Sequence, residues 1–492
     1  MEKLILMFSI LIISSVFSAK ISKRFNIPLL VIFIFIGMLA GSDGIGWIHY
    51  NDPDSAFFIA TISLCIILFT GGLETDVNLV KPIIKEGISL SVLGVFLSMI
   101  LFAAPIHFLT NLGWKLSFLA SAAVASTDAA AVFSLLKFSG LKIKPKIKNI
   151  IEFESGSNDP IAYVLVILFI ALVKGGDDQN LIHYIYFFLK ELIIGGLLGV
   201  LFGYITERFI EKLKLEIEAM YPILLLGALG VTYSATALIH GNGYLAIYIL
   251  GLSISSKKFL YKNSCVRFFS VLSWTMQIFL FLCLGLLVFP KQLLDFTWIG
   301  LFLALIMVFA VRPLSVFMSM SFFGKKHDRK SKLFISLGGF KGAVAIVFAI
   351  FTMVEKVPGS DMIFNLIFFI VLVSVIIQGS TLRFFAGKLG VIENKLSSIK
   401  HATGAEDMEY LENNMFELTI TETSPFLDKS VSEINIPYEL LITLIKRDSS
   451  YIHPKGKTRF KLGDRITIMC REKESLLKYF SENDPSALIY TS

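Results

Sequence analysis

Charged residues are scarce in this chain, and so are cysteines. Asp, Glu, Lys and Arg make up 17% of the 492 residues, whereas 55% are hydrophobic and the mean hydropathy is +0.73. Its apolar runs are too long and too many for an ordinary soluble protein, so composition excludes that class. The chain has four cysteines, which show neither a disulfide framework nor a metal-ligand spacing. Its seven histidines are scattered without a paired spacing, so no resident metal site is expected.

The sequence also lacks several motifs of catalysis and energy coupling. It has no Gly-x-x-x-x-Gly-Lys-Ser/Thr loop, which argues against an ATP-driven pump. It has no Thr-Val-Gly-Tyr-Gly filter of the kind that potassium channels use. Without a His-Glu-x-x-His or similar motif, no enzyme activity is expected, and without a Gly-x-Gly-x-x-Gly turn that opens a Rossmann unit, no bound NAD and no other cofactor is expected.

What the chain does have is a long series of apolar segments. These predict an α-helical polytopic membrane protein with about thirteen spans. The spans are expected at 3–19, 27–41, 56–73, 87–109, 115–137, 149–173, 182–208, 220–239, 242–256, 268–289, 298–320, 333–353 and 362–386.

The net charge of +7 could suggest nucleic acid as a partner, but the basic residues are distributed otherwise. They cluster after the first, third, fifth, seventh, ninth and eleventh spans. This bias predicts that the N-terminus is outside and the C-terminal tail is cytoplasmic. A cleaved signal peptide is the alternative for the first span. The cations Lys20, Lys23 and Arg24 follow that span rather than precede it, which favours a membrane helix.

Two carboxylates, Glu154 and Asp159, lie within the predicted sixth span. Ser155 and Asp159 are one helical turn apart, and Glu154 and Asn158 form a second such pair on the adjoining face. Pro160 cannot donate a backbone hydrogen bond, so it frees a carbonyl close to Asp159. A carbonyl, a hydroxyl and a carboxylate together could bind a hard cation. The alternative is a buried polar cluster that only joins helices.

Two other spans contain interruptions at corresponding places. The fifth has Ser126, Thr127 and Asp128 within a run of small residues, and the twelfth has three glycines around Lys341. Both patterns predict a locally unwound helix, in which a helix N-terminus would favour Asp128 and a C-terminus would favour Lys341. Paired interruptions of this kind indicate a transporter built from inverted repeats, although either one alone could be a packing face.

Two further charges within or near the membrane need an explanation. Arg312 lies deep in the eleventh span, and Glu154 is the acid with which it is expected to pair. Glu74 ends the third span, where it could line an entrance funnel or be an interfacial carboxylate without a role.

The motifs now in view resemble a known family. Glu-Ser-x-x-Asn-Asp at 154–159, Ser-Thr-Asp at 126–128 and Gly-Gly-Phe-Lys-Gly-Ala at 338–343 resemble the monovalent cation/proton antiporter family 1, particularly its NhaP-type Na+(K+)/H+ antiporters. The resemblance covers about residues 1–390. One departure is visible, since the motif around Lys341 usually reads Leu-Arg-Gly; the charge is kept but the guanidinium fork is lost.

The resemblance implies a homodimer in which each protomer has a dimerisation domain and a six-helix core with two crossed broken helices. It implies that Asp159 carries either a proton or a cation, with Asp128 in the same site, and that Asn158 stabilises the crossing. Ser155 and Thr127 would help to bind the ion, and Glu154 would pair with Arg312. Asn158 stands where electrogenic relatives have a second aspartate.

The composition becomes that of a soluble protein after about residue 390. We expect a linker at 391–406 and a small cytoplasmic α+β domain at 407–492, with strands near 416–420, 440–445 and 465–469 and a helix at 472–480. The domain resembles the C-terminal lobe of RCK domains, the TrkA-C module. It could bind a small cytoplasmic ligand such as a nucleotide, or it could merely dimerise. The basic candidates for an anionic group, which could equally be an ordinary solvated face, are Arg447, Lys455, Lys457 and Arg459.

The leading hypothesis is a secondary transporter in a bacterial inner membrane that exchanges protons for potassium or sodium. One buried carboxylate cannot hold a proton and a cation together, so their competition produces exchange. Its partners would be monovalent cations, protons and membrane lipid, with no nucleic acid. The alternative hypothesis is a cation channel gated by the tail.

Overall fold

The computed structural model describes most of the predicted membrane region and part of the tail. The described residues are 9, 10, 13, 14, 17, 29–46, 48, 52–128, 132, 143–175, 181–213, 216–257, 259–290, 293, 296–392, 415–421, 424–434, 440–447, 450–470 and 489–491. Most of the first predicted span, the predicted linker and the predicted helix at 472–480 lie outside them. The chain divides into two compact units, residues 1–393 and 394–492.

The first unit is helical. Its elements are α1 (Leu29–Ala40), α2 (Pro53–Glu74), α3 (Lys81–Leu109), α4 (Trp114–Ala125), α5 (Pro145–Lys174), α6 (Leu181–Leu213), α7 (Met220–Leu238), α8 (Gly243–Ser255), α9 (Lys262–Leu287), α10 (Thr297–Ser319), α11 (Arg329–Leu337), α12 (Ala343–Val354) and α13 (Ser360–Lys388).

These helices confirm an α-helical membrane protein. Among the described residues, eight helices are long and apolar enough to cross a membrane, and α1, α4, α8 and α12 are shorter apolar helices. Helices occur at the second to thirteenth predicted spans, and the twelfth span is divided between α11 and α12. The first span lies mostly outside the described residues, so the expected number of thirteen is not established.

The order of the helices repeats. The long helix α3, the interrupted helix that begins with α4, and α5 form one set; α10, the interrupted pair α11 and α12, and α13 form the other. Both leading helices also contain a π-helical turn, at Leu90–Gly94 in α3 and at Met307–Val311 in α10. Because three spans precede the first set and ten precede the second, the two sets have opposite directions in the membrane on the predicted count. This is the pattern of an inverted repeat.

Glycine allows close helix crossings in the remainder of the unit. Gly37 of α1 faces Gly285 of α9, and a Cβ atom on Gly37 would lie 2.4 Å from the Leu282 carbonyl oxygen. Gly72 of α2 meets Gly251 of α8 in the same way, with 2.5 Å between a Gly72 Cβ and the Tyr248 carbonyl oxygen. Small residues at such contacts let backbones approach within a membrane, so α1, α2, α8 and α9 form a tightly packed group.

Local capping fixes the start of one interrupted helix. Asp328 is the N-cap of α11, and its carboxylate accepts a hydrogen bond from the Ser331 backbone N–H at 3.3 Å. Hydrogen bonding from the Ser331 side chain lowers the pKa of Asp328 below its ordinary value. The acid is therefore ionised at neutral pH, and its charge favours the helix N-terminus.

The second unit contains a five-stranded antiparallel sheet. Its strands are β1 (Met415–Thr419), β2 (Leu440–Arg447), β3 (Ser450–Ile452), β4 (Arg465–Cys470) and β5 (Ile489–Thr491), in the order β3-β2-β4-β1-β5. The three strands predicted from alternation are confirmed as β1, β2 and β4. β3 and β5 were not predicted. Alternate residues such as Leu418, Ile445 and Ile466 form the buried core.

The sheet also accounts for one of the basic side chains considered as ligand contacts. Arg447 donates to both carboxylate oxygens of the buried Asp464, at 2.8 and 2.7 Å, and to the Arg459 carbonyl oxygen at 2.8 Å. Such a bidentate pair holds the turn before β4 against the end of β2. Arg447 therefore serves the fold, whereas the side chains of Lys455 and Lys457 are exposed.

Candidate functional site

The interrupted helices meet through their backbones. α4 ends at Ala125, and Ser126 continues in an extended conformation (φ −62°, ψ 158°). α11 ends at Leu337, and α12 begins only at Ala343. The Asp128 backbone N–H donates to the Phe340 carbonyl oxygen at 2.8 Å, so the two unwound segments are in direct contact. After Asp128 only Val132 of the first interrupted helix is described before Ile143.

Lys341 lies at the end of the opposite helix. Its Nζ atom donates to the carbonyl oxygens of Ala125 at 3.1 Å and Ser126 at 3.0 Å, and the side chain is buried. The last carbonyls of a helix have no intrahelical partners and carry the negative end of the helix dipole. The ammonium group therefore both satisfies these oxygens and balances that negative charge.

Asp128 lies at the beginning of α12. A Cβ atom on Gly342, the N-cap of α12, would be 2.3 Å from Asp128 Oδ2, so only glycine leaves room for this carboxylate. A negative charge is favourable at a helix N-terminus. Each unwound segment thus contributes a charge to an end of the other interrupted helix.

The motif at 154–159 on α5 packs against the same crossing. The Ser155 hydroxyl donates to the Thr127 carbonyl oxygen at 2.7 Å, and Asn158 Nδ2 donates to Thr127 Oγ1 at 2.6 Å. Ser155, Asn158 and Asp159 are all buried. The structure therefore brings these three residues together with Thr127, because α5 places their side chains on the side that faces the unwound segment.

The oxygen atoms at this point are incompletely satisfied. Among the described residues, Asp159 Oδ1 and Asn158 Oδ1 are buried without a hydrogen-bond partner. Asp159 is only 6% exposed. Leaving buried acceptors without donors is costly, so these atoms are candidate positions for a proton or a cation. Carboxylate and amide oxygens both suit a hard monovalent cation, which would be a transported substrate.

Ser126 is a member of the site that had no separate role assigned from sequence. Its side chain is within hydrogen-bonding reach of the Asp159 carboxylate. The signal was present, since Ser126 precedes Thr127 in the interruption. Only the extended conformation of the segment shows that Ser126 and Thr127 both contribute to the same contact with α5.

Glu154 and Arg312 form a buried ion pair beside the crossing. Arg312 Nη2 is 2.5 Å from Glu154 Oε1, and each side chain is 2% exposed. Space for the guanidinium comes from the second unwound segment, because a Cβ atom on Gly339 would be 2.2 Å from Arg312 Nε. Arg312 directly follows the π-helical turn of α10, a distortion that is frequent at functional sites.

Glu74 lies elsewhere. It is the last residue of α2, its side chain is exposed, and the Ser270 hydroxyl of α9 donates to it. A role in an entrance funnel remains a prediction. Among the residues that the structure describes, no cluster of His, Cys, Asp and Glu that could hold a metal is found.

Two interrupted helices from inverted repeats that cross beside a buried carboxylate define a secondary transporter of the inverted-repeat class. The particular family follows from sequence: residues 10–388 match the family model described as the transmembrane sodium/hydrogen exchanger. The chain belongs to that family. Residues 415–481 match the TrkA-C domain model.

Named relatives and a solved structure are similar to this chain over most of its length. The K(+)/H(+) antiporter NhaP2 of Shewanella sp. (strain ANA-3) is 34% identical over 95% of this chain and 81% of its own. The K(+)/H(+) antiporter NhaP of Alkalimonas amylolytica is 33% identical over the same shares. The structure of the sodium proton antiporter MjNhaP1 from Methanocaldococcus jannaschii at pH 8 has a TM-score of 0.68 and 25% identity, covering 79% of this chain and 99% of that chain.

Proposed function

We propose that this protein exchanges protons for monovalent cations, with Asp159 as the group that carries either one. The observation that carries the proposal is the buried Asp159 Oδ1, which has no hydrogen-bond partner among the described residues; Asn158 Oδ1, on the preceding residue, has none there either. A proton on Asp159 and a cation bound to these oxygens would exclude each other. Exchange follows from that competition.

The residues around Asp159 have distinct roles in this mechanism. The oxygens of Ser155 and Thr127, which are hydrogen-bonded to each other, would supply further cation ligands, while Asn158 holds the Thr127 side chain. Asp128 and Lys341 stabilise the ends of the interrupted helices. Glu154 and Arg312 form a structural ion pair that keeps the crossing attached to α5 and α10. This arrangement leaves Asp159 as the carboxylate that is free to exchange its occupant.

Alternating access would move the six-helix core against the part of the unit that contains α8. The core consists of the two repeats, which are α3, the interrupted helix that begins with α4, and α5, and α10, the interrupted pair α11 and α12, and α13. Two contacts between α5 and α8 lie on either side of Asp159 in the sequence. Asn242 Nδ2 donates to the Pro160 carbonyl oxygen at 2.8 Å, and a Cβ atom on Gly156 would be 2.5 Å from the Tyr248 ring. Both contacts would have to change for Asp159 to become open to each side in turn.

Potassium is the proposed main substrate, with sodium as a second. The more similar relatives are named as K(+)/H(+) antiporters, and the tail resembles modules attached to potassium transport proteins. The less similar Na(+)/H(+) antiporter 1 of Methanocaldococcus jannaschii is 27% identical over 70% of this chain. We propose a bacterial inner membrane location as a homodimer, with the N-terminus outside and the tail in the cytoplasm, in accord with the positive-inside bias.

Exchange is expected to be electroneutral, with one proton for one cation. The residue beside Asp159 is the neutral Asn158, so the pair contributes a single titrating carboxylate. Protein in liposomes should therefore not respond to membrane potential. The measurement adds sodium outside liposomes that have equal potassium inside and outside, with and without valinomycin, and follows internal pH with a dye. A faster or larger pH change when valinomycin holds the membrane potential at zero would contradict one-for-one exchange.

The tail is proposed to regulate transport. All the candidate ion-binding residues precede residue 345, and the tail unit has its own buried core. A small anionic ligand such as a nucleotide could bind to the exposed Lys455 and Lys457.

A chain ending at residue 395 should still exchange protons for cations, with a shifted dependence on pH or cation concentration. The test compares it with the full chain in liposomes at equal amounts of inserted protein. Complete loss of exchange in a stable, inserted truncated protein would show that the tail is part of the transport machinery.

A further inference from the structure

Two buried polar side chains on α13 bind the second unwound segment. Gln378 Nε2 donates to the Leu337 carbonyl oxygen at 2.9 Å, and the Lys341 backbone N–H donates to Ser374 Oγ at 3.4 Å. The Ser374 hydroxyl in turn donates to Gln378 Oε1. Ser374 and Gln378 are one helical turn apart and nearly inaccessible to solvent. Together they contact the backbone on both sides of Gly338 and Gly339.

The first repeat contains a related arrangement with different hydrogen bonds. There Ser155 donates to the Thr127 carbonyl oxygen, and the amide of Asn158 donates to Thr127 Oγ1. In each repeat, therefore, a serine and an amide about one turn apart on the third helix bind the interruption of the second. The correspondence is supported by the shared order of the helices and by the π-helical turns of α3 and α10.

The repeats differ at the residue four positions after the serine. That residue is Asp159 in the first repeat and Gln378 in the second. The second arrangement thus has a neutral amide where the first has the carboxylate. What it supports instead is Lys341, whose ammonium contacts the Ala125 and Ser126 carbonyls directly before Thr127.

We infer that Ser374 and Gln378 are positioning residues for transport, which hold Lys341 against the end of α4 while the crossing moves. The inference rests on the proposed role of Asp159. Lys341 interacts electrostatically with Arg312, Glu154 and Asp159. Displacement of its ammonium group would therefore change the electrostatic potential at Asp159, although every proposed ion ligand would remain. A displacement of about 1 Å at a reacting centre can slow an enzyme by a hundredfold.

The alternative is that Ser374 and Gln378 only join helices. Such a role would lower the melting temperature and the amount of inserted protein, but it would leave turnover per inserted molecule unchanged. A positioning role lowers turnover itself. The half-saturating cation concentration should change little, because Asp159, Ser155 and Thr127 are all retained. A fall in turnover per inserted molecule at a nearly unchanged half-saturating cation concentration therefore indicates a positioning role.

The experiment uses the full chain in liposomes and the variants Ser374→Ala, Ser374→Thr and Gln378→Met. The control is Ser380→Ala on the same helix, whose exposed hydroxyl bonds, within the part of the chain that the structure describes, to the Ile376 and Ile377 carbonyls of its own helix. Turnover is measured per inserted molecule as a function of cation concentration. Ser374→Ala and Gln378→Met should each lower turnover by about tenfold, an order of magnitude set by displacement of the site. Ser374→Thr keeps a hydroxyl and should exceed Ser374→Ala, and Ser380→Ala should equal the parent protein.

Parent-like turnover in Ser374→Ala would overturn the inference, as would equal or better transport by Ser374→Ala than by Ser374→Thr. If Gln378→Met fails to insert, Ser374→Ala still decides, because it removes one oxygen atom. Asp159→Asn is measured in parallel. An inactive Asp159→Asn together with parent-like Ser374→Ala removes only this inference, whereas an active Asp159→Asn removes the proposed carrier.

Discussion

Replacing Asp159 by Asn should abolish exchange of every monovalent cation while the protein remains folded. The amide has nearly the same shape as the carboxylate, but it can neither release a proton nor balance a cation. Its Nδ2 group would also place a donor beside oxygens that the proposed cation needs. We expect cation-dependent proton movement in liposomes to fall to the level of protein-free vesicles. The measurement is dye-reported internal pH after addition of sodium or potassium.

Asp128→Asn provides a comparison for that result. Asp128 lies against Gly342, the N-cap of α12, and is expected to stabilise the helix end electrostatically, so its loss should reduce exchange without removing the proposed carrier. Substantial proton-coupled flux by a properly inserted Asp159→Asn protein is the outcome that would sink the mechanism.

The second large effect is expected for stability. Removing either Glu154 or Arg312 leaves a charge stranded in a buried site and should reduce the free energy of unfolding by about 3 to 5 kcal/mol. Replacing both, by Glu154→Gln and Arg312→Met, should cost less than the sum of the single changes. Thermal unfolding in detergent measures the cycle.

The control pair for this cycle lies on the same helix. Lys148 and Glu152 of α5 are 3.5 Å apart, with side chains 49% and 36% exposed. Such exposed pairs contribute only about 0 to 1 kcal/mol, so their cycle should show little coupling. Additive losses for Glu154 and Arg312 would show that the two side chains do not stabilise the protein as a pair.

Much of the fold was predictable because membrane helices leave long apolar runs and half-buried strands leave an alternating pattern. Apolar runs predicted α1 to α13 approximately, and the hydroxyls around Asp128 and the glycines around Lys341 predicted the two interruptions. Strands β1, β2 and β4 followed from alternation. β3 and β5 are each three residues long, too short for alternation to be recognised, and they depend on pairing with β2 and β1.

The rest of the site depends on tertiary contacts that spacing cannot supply. Sequence assigned the charges of Asp128 and Lys341 to helix ends, but only the crossing shows that each acts on the other interrupted helix. Ser374 and Gln378 had a weak signal, a polar pair one turn apart in an apolar helix. Many membrane helices contain such pairs as packing contacts, so the pattern alone could not assign their bonds to Leu337 and Lys341.

Arg447 shows the same limit in the tail. Its position among basic residues suggested a ligand contact, yet its guanidinium is bound to Asp464 and to the Arg459 carbonyl. Asp464 is 17 residues away along the chain, and the pairing of β2 with β4 brings the two side chains together. Charge patterns identify cations, but not whether the fold already uses them.

The most direct test of proton/cation exchange is whether each ion requires the other. Full-length protein is placed in liposomes that contain a pH-sensitive dye and an acidic interior, in an external buffer without sodium or potassium. We expect internal pH to remain steady until potassium or sodium is added, then to rise, and not to rise with Asp159→Asn. Proton or cation flux that continues with no opposing ion would contradict exchange and would favour the channel.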